Sequence, residues 1–266
     1  MKTLTQHISE RLQLNKDRVR KYEYQPKTTR ELIHIINKIT NEHCDEKIIN
    51  LNVIDTSKIT DMTGVFKYRE NIYDISQWDV SGVTDMSSMF ESSKFNGDIS
   101  QWDVSHVKDM SYMFSESEFD GNISQWDVSH VGSMENMFAD SYFNQDIGDW
   151  DVHKVVIFRE MFSRSAFNKD ISRWDVSAAK NIGGMFEQCP FNQDISKWNV
   201  SNVENMGHLF YLNLRFNQDI SDWDVSNVKN TYLMFAGTNF NQDLTPWVEK
   251  FNNSPGLVKN IEKYIK

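Results

Sequence analysis

The sequence predicts an α/β solenoid made of tandem coils of about 24 residues, each one strand and one short helix, with helical caps at both ends. Three observations predict it. All eight tryptophans fall in one series, Trp78, Trp102, Trp126, Trp150, Trp174, Trp198, Trp223 and Trp247, at steps of 24 residues with a single step of 25. The apolar positions within each unit change period partway through, and both flanks carry helical patterns of their own. A unit this short buries its apolar face only by stacking on neighbours, so the stack needs caps at its ends.

The elements follow in chain order. Residues 1–47 read as an N-terminal helical cap. Leu4, Ile8 and Leu12 suggest a short helix, and Thr28 with Glu31 makes a capping box ahead of Leu32, Ile35, Ile36 and Ile39, the i, i+3, i+4, i+7 stripe of an amphipathic helix. Residues 48–247 are the repeats, eight to nine coils. Ile54 opens the first and atypical one, because Asp55, Ser57, Ile59, Met62 and Phe66 match Asp79, Ser81, Val83, Met86 and Phe90 of the next. Around Trp102, the residues Ile99, Trp102 and Val104 have the L-x-x-L-x-L spacing of a leucine-rich-repeat strand. Val107, Met110, Met113 and Phe114 then suggest one face of a helix, with Ser105 as its N-cap. The turn back runs through segments such as Phe95-Asn96-Gly97-Asp98, rich in turn formers. The extra residue of the 25-residue step lies in Tyr211-Leu212-Asn213-Leu214-Arg215, a loop insertion. Residues 248–266 form the C-terminal cap, with Ser254 as N-cap, Pro255 at the first helical position and Leu257, Ile261 and Ile265 on one face.

Composition bounds the function. Aromatic residues at 13% supply a core, and 38 acidic against 28 basic side chains give a net charge of -10, which disfavours a nucleic-acid partner. Residues 1–47 are locally basic, with ten Lys or Arg against seven Asp or Glu. Cys44 and Cys189 lie too far apart in the pattern for a disulfide framework. The start, Met1-Lys2-Thr3-Leu4-Thr5-Gln6-His7, lacks the apolar region of a signal peptide, and no window approaches a membrane span. The expected location is therefore cytoplasmic, or inside a virion.

The unit I-S-x-W-D-V-S-x-V-x-x-M-x-x-M-F-x-x-x-x-F-N-x-D resembles the BspA-like leucine-rich repeats, including the Mycoplasma-type lipoprotein repeats W-D-V-S-N-V-x-x-M-x-x-M-F, over about residues 50–247. The resemblance implies the leucine-rich-repeat-like fold and a place among bacterial surface and adhesion proteins of diverse ligands. The chain departs from that pattern in lacking a signal peptide and a lipobox cysteine near its start. Proteins with similar repeats and no signal occur among phage products. Fold alone does not fix function.

The polar columns read first as structure. Trp belongs inside, its indole N–H served by a carbonyl or Asp of a neighbouring coil. Asp79, Asp103, Asp127, Asp151, Asp175, Asn199 and Asp224 form one acidic column and Asp98, Asn122, Asp146, Asp170, Asp194, Asp219 and Asp243 another, best explained by local bonds to turn amides rather than by calcium. Asn96, Asn144, Asn168, Asn192, Asn217 and Asn241 make a ladder broken once by Asp120. His106, His130 and His153 occupy adjacent rungs without the further ligands of a metal site. No nucleophile motif, phosphate loop or H-E-x-x-H occurs, so neither catalysis nor a cofactor is expected. Recognition falls to the columns that vary. The slot before Trp reads Gln77, Gln101, Gln125, Asp149, Arg173, Lys197, Asp222, and the slot after the capping residue reads Gly82, His106, His130, Lys154, Ala178, Asn202, Asn227. These are expected along the strand face of a protein-binding or adhesive scaffold. The alternatives are a structural component of a phage or other large particle and a glycan-binding module; a membrane partner is not expected.

Overall fold

The computed structural model describes residues 22–251 and 254–265. The expected helix at Leu4, Ile8 and Leu12 lies outside the described residues. Helix α1, Thr29–Glu42, forms where the capping box places it. The Glu31 amide donates to Thr28 Oγ1 at 3.2 Å, and the Glu31 carboxylate reaches back to the Lys27 amide at 2.7 Å, one residue beyond the N-cap. Leu32, Ile36 and Ile39 are buried against the first coil. A parallel pair of two-residue strands, β1 Ile49–Asn50 and β2 Tyr73–Asp74, ties the first coil to the second. From Asp61 onward each coil bridges the next in parallel, through Asp85, Asp109, Ser133, Ile157, Asn181, Asn205 and Asn230.

The repeating unit is not the expected strand and helix. The Ile-x-x-Trp-x-Val segments are turns, held by bonds such as Trp102 N–H to Ile99 O and Val107 N–H to Val104 O. The segments expected as helices carry the inter-coil ladder instead. Met86, Ser88, Phe90 and Ser92 donate their amides to the carbonyls of Asp109, Ser111, Met113 and Ser115, at 2.8–3.0 Å. The amides between them turn locally, Met89 to Met86 O and Glu91 to Ser88 O. Two residues per coil, four apart, adopt left-handed φ, for example Ser88 at 56° and Ser92 at 52°, and this reversal excludes a helix. Spacing of i, i+3, i+6, i+7 therefore arose from chained turns, a period that sequence alone does not separate from one face of a helix.

The capping role assigned to Ser is also reversed. Ser105 donates its amide to Asp103 Oδ1 at 3.1 Å and its hydroxyl to the same oxygen at 2.6 Å. Asp98 receives the Ser100 amide and Asp109 the Ser111 amide in the same way, so this coil turns at three Asx corners, while Ser133 and Ile157 interrupt the third corner in the next two coils. These bonds hold the carboxyl groups of Asp98, Asp103, Asp127, Asp170, Asp175, Asp194, Asp219 and Asp224 below the usual range. The ladder expected to break at Asp120 runs through it. Asn96 Oδ1 accepts the Asp120 amide and Asp120 Oδ1 accepts that of Asn144, because a carboxylate oxygen accepts as an amide oxygen does.

Inside the coils, the tryptophans are buried and each indole N–H donates to a carbonyl of the preceding coil, as Trp126 to Ile99 O at 3.1 Å and Trp150 to Ile123 O at 3.1 Å. Two phenylalanine columns run beside them, with near-parallel rings 5.4 Å apart at Phe90–Phe114 and 6.2 Å apart at Phe95–Phe119. Below each turn back, Ser117 donates to Phe114 O and accepts from the Phe119 amide. In the 25-residue coil Asn213 takes that slot and its longer side chain spans the insertion, accepting from Arg215 and Phe216. The stack closes with two helices where one was expected: α2, Thr245–Lys250, which contains Trp247, and α3, Pro255–Ile261. Pro255 stands at the helix start, but Ser254 makes no side-chain cap bond. A 3-10 turn, Glu262–Tyr264, sets Tyr264 Oη on Phe235 O at 3.1 Å. No helix among the described residues is long and apolar enough to cross a membrane.

Three measurements check this account. Trp126→Ala removes a buried ring and its bond to Ile99 O, and is expected to cost about 3–5 kcal/mol in denaturant titration. Gly64 has φ +63° and an added Cβ would meet only Lys67 Cβ at an ordinary 3.8 Å, so Gly64→Ala should destabilise by about 1 kcal/mol from backbone strain alone. Gly82 has equal room without the left-handed φ, and Gly82→Ala should instead stabilise by about 0.4–1 kcal/mol. Because the Asp carboxyls are depressed in the folded chain, the stability they add is complete above their unfolded value, about 3.9, and is lost as pH falls through the folded values. Melting temperature should therefore drop below about pH 4, and Asp103→Asn, which keeps the acceptor oxygen, should blunt the drop.

Candidate binding surface

The ladder segments present side chains to solvent between their buried methionine and phenylalanine residues. After the first apolar residue of each segment the slot reads Thr63, Ser87, Ser111, Glu135, Arg159, Gly183, Gly207, Tyr232. Small hydroxyl residues give way to charges, then to bare backbone, then to an exposed aromatic. Around the glycines lies a cleft of about 180 Å³ lined by Arg159, Glu160, Gly183, Gly184, Glu187, Asn205, Gly207, His208, Asn230 and Tyr232.

The glycines make room for a close approach. A Cβ on Gly207 would lie 2.5 Å from Asn230 Nδ2, and one on Gly183 would lie 3.0 Å from Asn205 Nδ2. Those amides form their own ladder, Asn230 Nδ2 to Asn205 Oδ1 at 2.8 Å and Asn205 Nδ2 to Asn181 Oδ1 at 3.0 Å. The floor of the cleft is thus backbone and its side is a row of amides.

Ion pairs fill the neighbouring coils. Arg164 grips Asp140 with two bonds of 2.7 Å, and Arg159 holds Glu135 at 2.7 Å. Earlier in the stack Lys67 holds Glu91 at 2.7 Å. On the other wall His208 lies against Tyr211 and Tyr232, with ring centroids 5.2 and 5.7 Å away. Tyr232 is 59% exposed.

The column expected to recognise a partner stands elsewhere. Gln77, Gln101, Gln125, Asp149, Arg173, Lys197 and Asp222 are all exposed, but they sit on a ridge of turns rather than on the hydrogen-bonded ladder, because no strand forms at the Trp segment. Their side chains bond within a coil or to the adjacent one. Arg173 pairs with Asp149 at 2.6 Å, both about three-quarters exposed at 73% and 75%, and Gln101 and Gln125 donate to Ser100 and Ser124. The ridge carries a recess of its own, about 380 Å³, lined by Asn122, Ser124, Gln125, Gln145, Asp146 and Asp149. His106 and His130 contact the hydroxyls of Ser105 and Ser129, while His153 pairs with Asp151. Among the described residues no group of three or more His, Cys, Asp or Glu is placed to hold a metal ion. Cys189 replaces the serine of its column, and burial pushes its thiol up to about 11, well away from reactive values.

The cleft was missed in sequence because the ladder segments read as helices, which turns their intervening residues away from one another. A signal was present nonetheless: Gly183, Gly184 and Gly207 interrupt columns that otherwise carry side chains.

The family model described as a Mycoplasma protein of unknown function, DUF285, matches the chain three times, over residues 36–142, 94–190 and 188–264. Neither a curated protein nor a solved structure matches it. The overlapping matches reflect the tandem units, and since together they reach from residue 36 to residue 264, the chain belongs to the Mycoplasma DUF285 family.

Proposed function

We propose that the chain is a non-enzymatic protein-binding or adhesion scaffold, a leucine-rich-repeat-like solenoid of the BspA-like kind, that recognises its partner on the ladder face. One observation carries the reading. The columns that repeat along the chain are spent on packing, Asx corners and the Asn ladder, whereas the ladder face changes chemistry from coil to coil and holds the glycine-floored cleft. Solenoids generally offer such extended surfaces to partners. Polar residues repeated in every coil make poor candidates for a singular catalytic group. The ridge of Gln77, Gln101, Gln125, Asp149, Arg173, Lys197 and Asp222 is the competing surface, because it varies too and is fully open to solvent.

Selection of ligands from a displayed peptide library by the immobilised chain tests this, with variants of each face as competitors. Ligands are expected to lose affinity at least about tenfold, 1.4 kcal/mol, with a Glu160→Lys/Glu187→Lys double variant on the ladder face. They should be little affected by Arg173→Glu/Lys197→Glu on the ridge, whose exposed substitutions also leave stability within about 0.5 kcal/mol. The reverse pattern would move recognition to the ridge. Binding confined to a glycan array would make the chain a glycan-binding module, and concentration-dependent assembly without any ligand would favour a structural part of a larger particle.

A further inference from the structure

We propose that the cleft over Gly183, Gly184 and Gly207 receives a cationic side chain, arginine or lysine, of a basic peptide segment; the inference rests on the ladder face being the binding surface. Glu187 is the centre of the argument. Its side chain is only 14% exposed, yet its nearest cation, Arg164 Nη1, and the ring nitrogen His208 Nδ1 both stand 3.6 Å away, and Gln188 Nε2 lies 3.5 Å away. Contacts that long are weak hydrogen bonds at best. The carboxylate has left most of its water without gaining a short charged donor, an arrangement that a ligand cation relieves.

The arginines nearby do not fill that role, because each is committed elsewhere. Arg164 is turned to Asp140 with two bonds of 2.7 Å, and Arg159 to Glu135 at 2.7 Å. Arg159 meets Glu160, the second carboxylate of the cleft, only at 3.3 Å. The rim and cleft thus hold four carboxylates against two guanidinium groups, on a chain of net charge -10.

The opposite wall suits a cation as well. Tyr232 and His208 lie with ring centroids 5.7 Å apart, and Tyr232 is 59% exposed. A guanidinium or ammonium group over an aromatic face gains about 0.5–2 kcal/mol, more as water is excluded. The cleft lies between the ring wall and the ion-paired coils, and Glu160 and Glu187 are part of its lining. A volume of about 180 Å³ holds the end of one long side chain rather than a folded surface.

Fluorescence anisotropy of the full chain with a labelled peptide of alternating Arg and Gly, nine residues long, tests the proposal at about 0.15 M salt, where diffuse surface attraction is largely screened. The same peptide with every Arg replaced by citrulline keeps the shape and removes the charge. The citrulline peptide is expected to bind at least about tenfold more weakly, and Glu187→Gln and Tyr232→Ala each to weaken the arginine peptide about fivefold or more. Asp222→Asn on the ridge changes net charge by the same amount as Glu187→Gln and should alter binding less than about twofold. Equal losses from Asp222→Asn and Glu187→Gln would reduce the effect to overall charge and overturn the proposal. So would equal binding of the citrulline peptide, or no measurable binding of the arginine peptide. If Tyr232→Ala lowers the melting temperature, the shape-conserving Glu187→Gln and the citrulline comparison decide. Library ligands that need the ladder face but no cation would defeat this inference alone, while ligands indifferent to that face would defeat the reading beneath it.

Discussion

Four backbone amides of each ladder segment donate to carbonyls of the following coil, at each of the seven junctions from Asp61 to Asn230, and none of these amides points backwards. Met62, Gly64, Phe66 and Tyr68 begin the series and Met206, His208, Phe210 and Leu212 end it. An ordinary strand alternates donors and acceptors along each edge. Here the four donors of each segment face the C-terminal side, while flanking amides such as Thr84 to Thr60 O and Lys108 to Thr84 O run the other way. The chain achieves this by placing a left-handed residue at every fourth position of the segment, thirteen of them not glycine. Each such residue costs about 1–2 kcal/mol, and each ladder bond returns a net of about 0.5–1.5 kcal/mol. Two strained residues against four bonds nearly cancel, so burial of the Trp, Phe and Met columns must supply the net stability of the stack.

The direction of the ladder makes the two ends chemically different. At the start, Asp61 O accepts from Thr29 Oγ1 of α1, a donor supplied to an acceptor edge, and Arg69 extends from the first coil to Asn37 of the same helix. At the far end, Tyr264 and Asn260 of the C-terminal cap pack over Phe235 and Thr231 of the last coil. At both ends the cap side chains act as donors, Thr29 to Asp61 O at the start, and Tyr264 to Phe235 O and Asn260 to Thr231 Oγ1 at the end.

The same constraint creates the candidate site. On a uniform ladder, side chains in one slot recur at every coil and pair with their neighbours, as Lys67 with Glu91 and Arg159 with Glu135. Where Asn181, Asn205 and Asn230 replace the acidic corner residues, their amides reach along the stack to one another and occupy the space beside the next slot. A Cβ at Gly183 or Gly207 would meet those amides at 3.0 and 2.5 Å and push them from the ladder. The gap in the ion-pair lattice leaves Glu187 short of close partners and exposes the wall made by His208 and Tyr232. A local change of corner chemistry thus opens a recess on an otherwise filled surface.

The sequence by itself determined the repeat length, the buried tryptophans with their indole N–H bonds, the insertion before Phe216 and the capped helix after Thr28, because each follows from periodicity or from a local bond between residues near in sequence. Local bonding of the acidic columns was legible for the same reason, as was the Asn ladder. Only the tertiary structure decided that the methionine segments are chained turns and not helices. Left-handed φ at residues as ordinary as Ser88, Glu116 and Arg164 is imposed by the coils on either side and leaves no mark in composition. It also decided which variable column lies on the ladder and which on a ridge of turns. The cleft around Gly183 and Gly207 exists only because side chains 24 or more residues apart meet there, a proximity that stacking creates and no local pattern encodes.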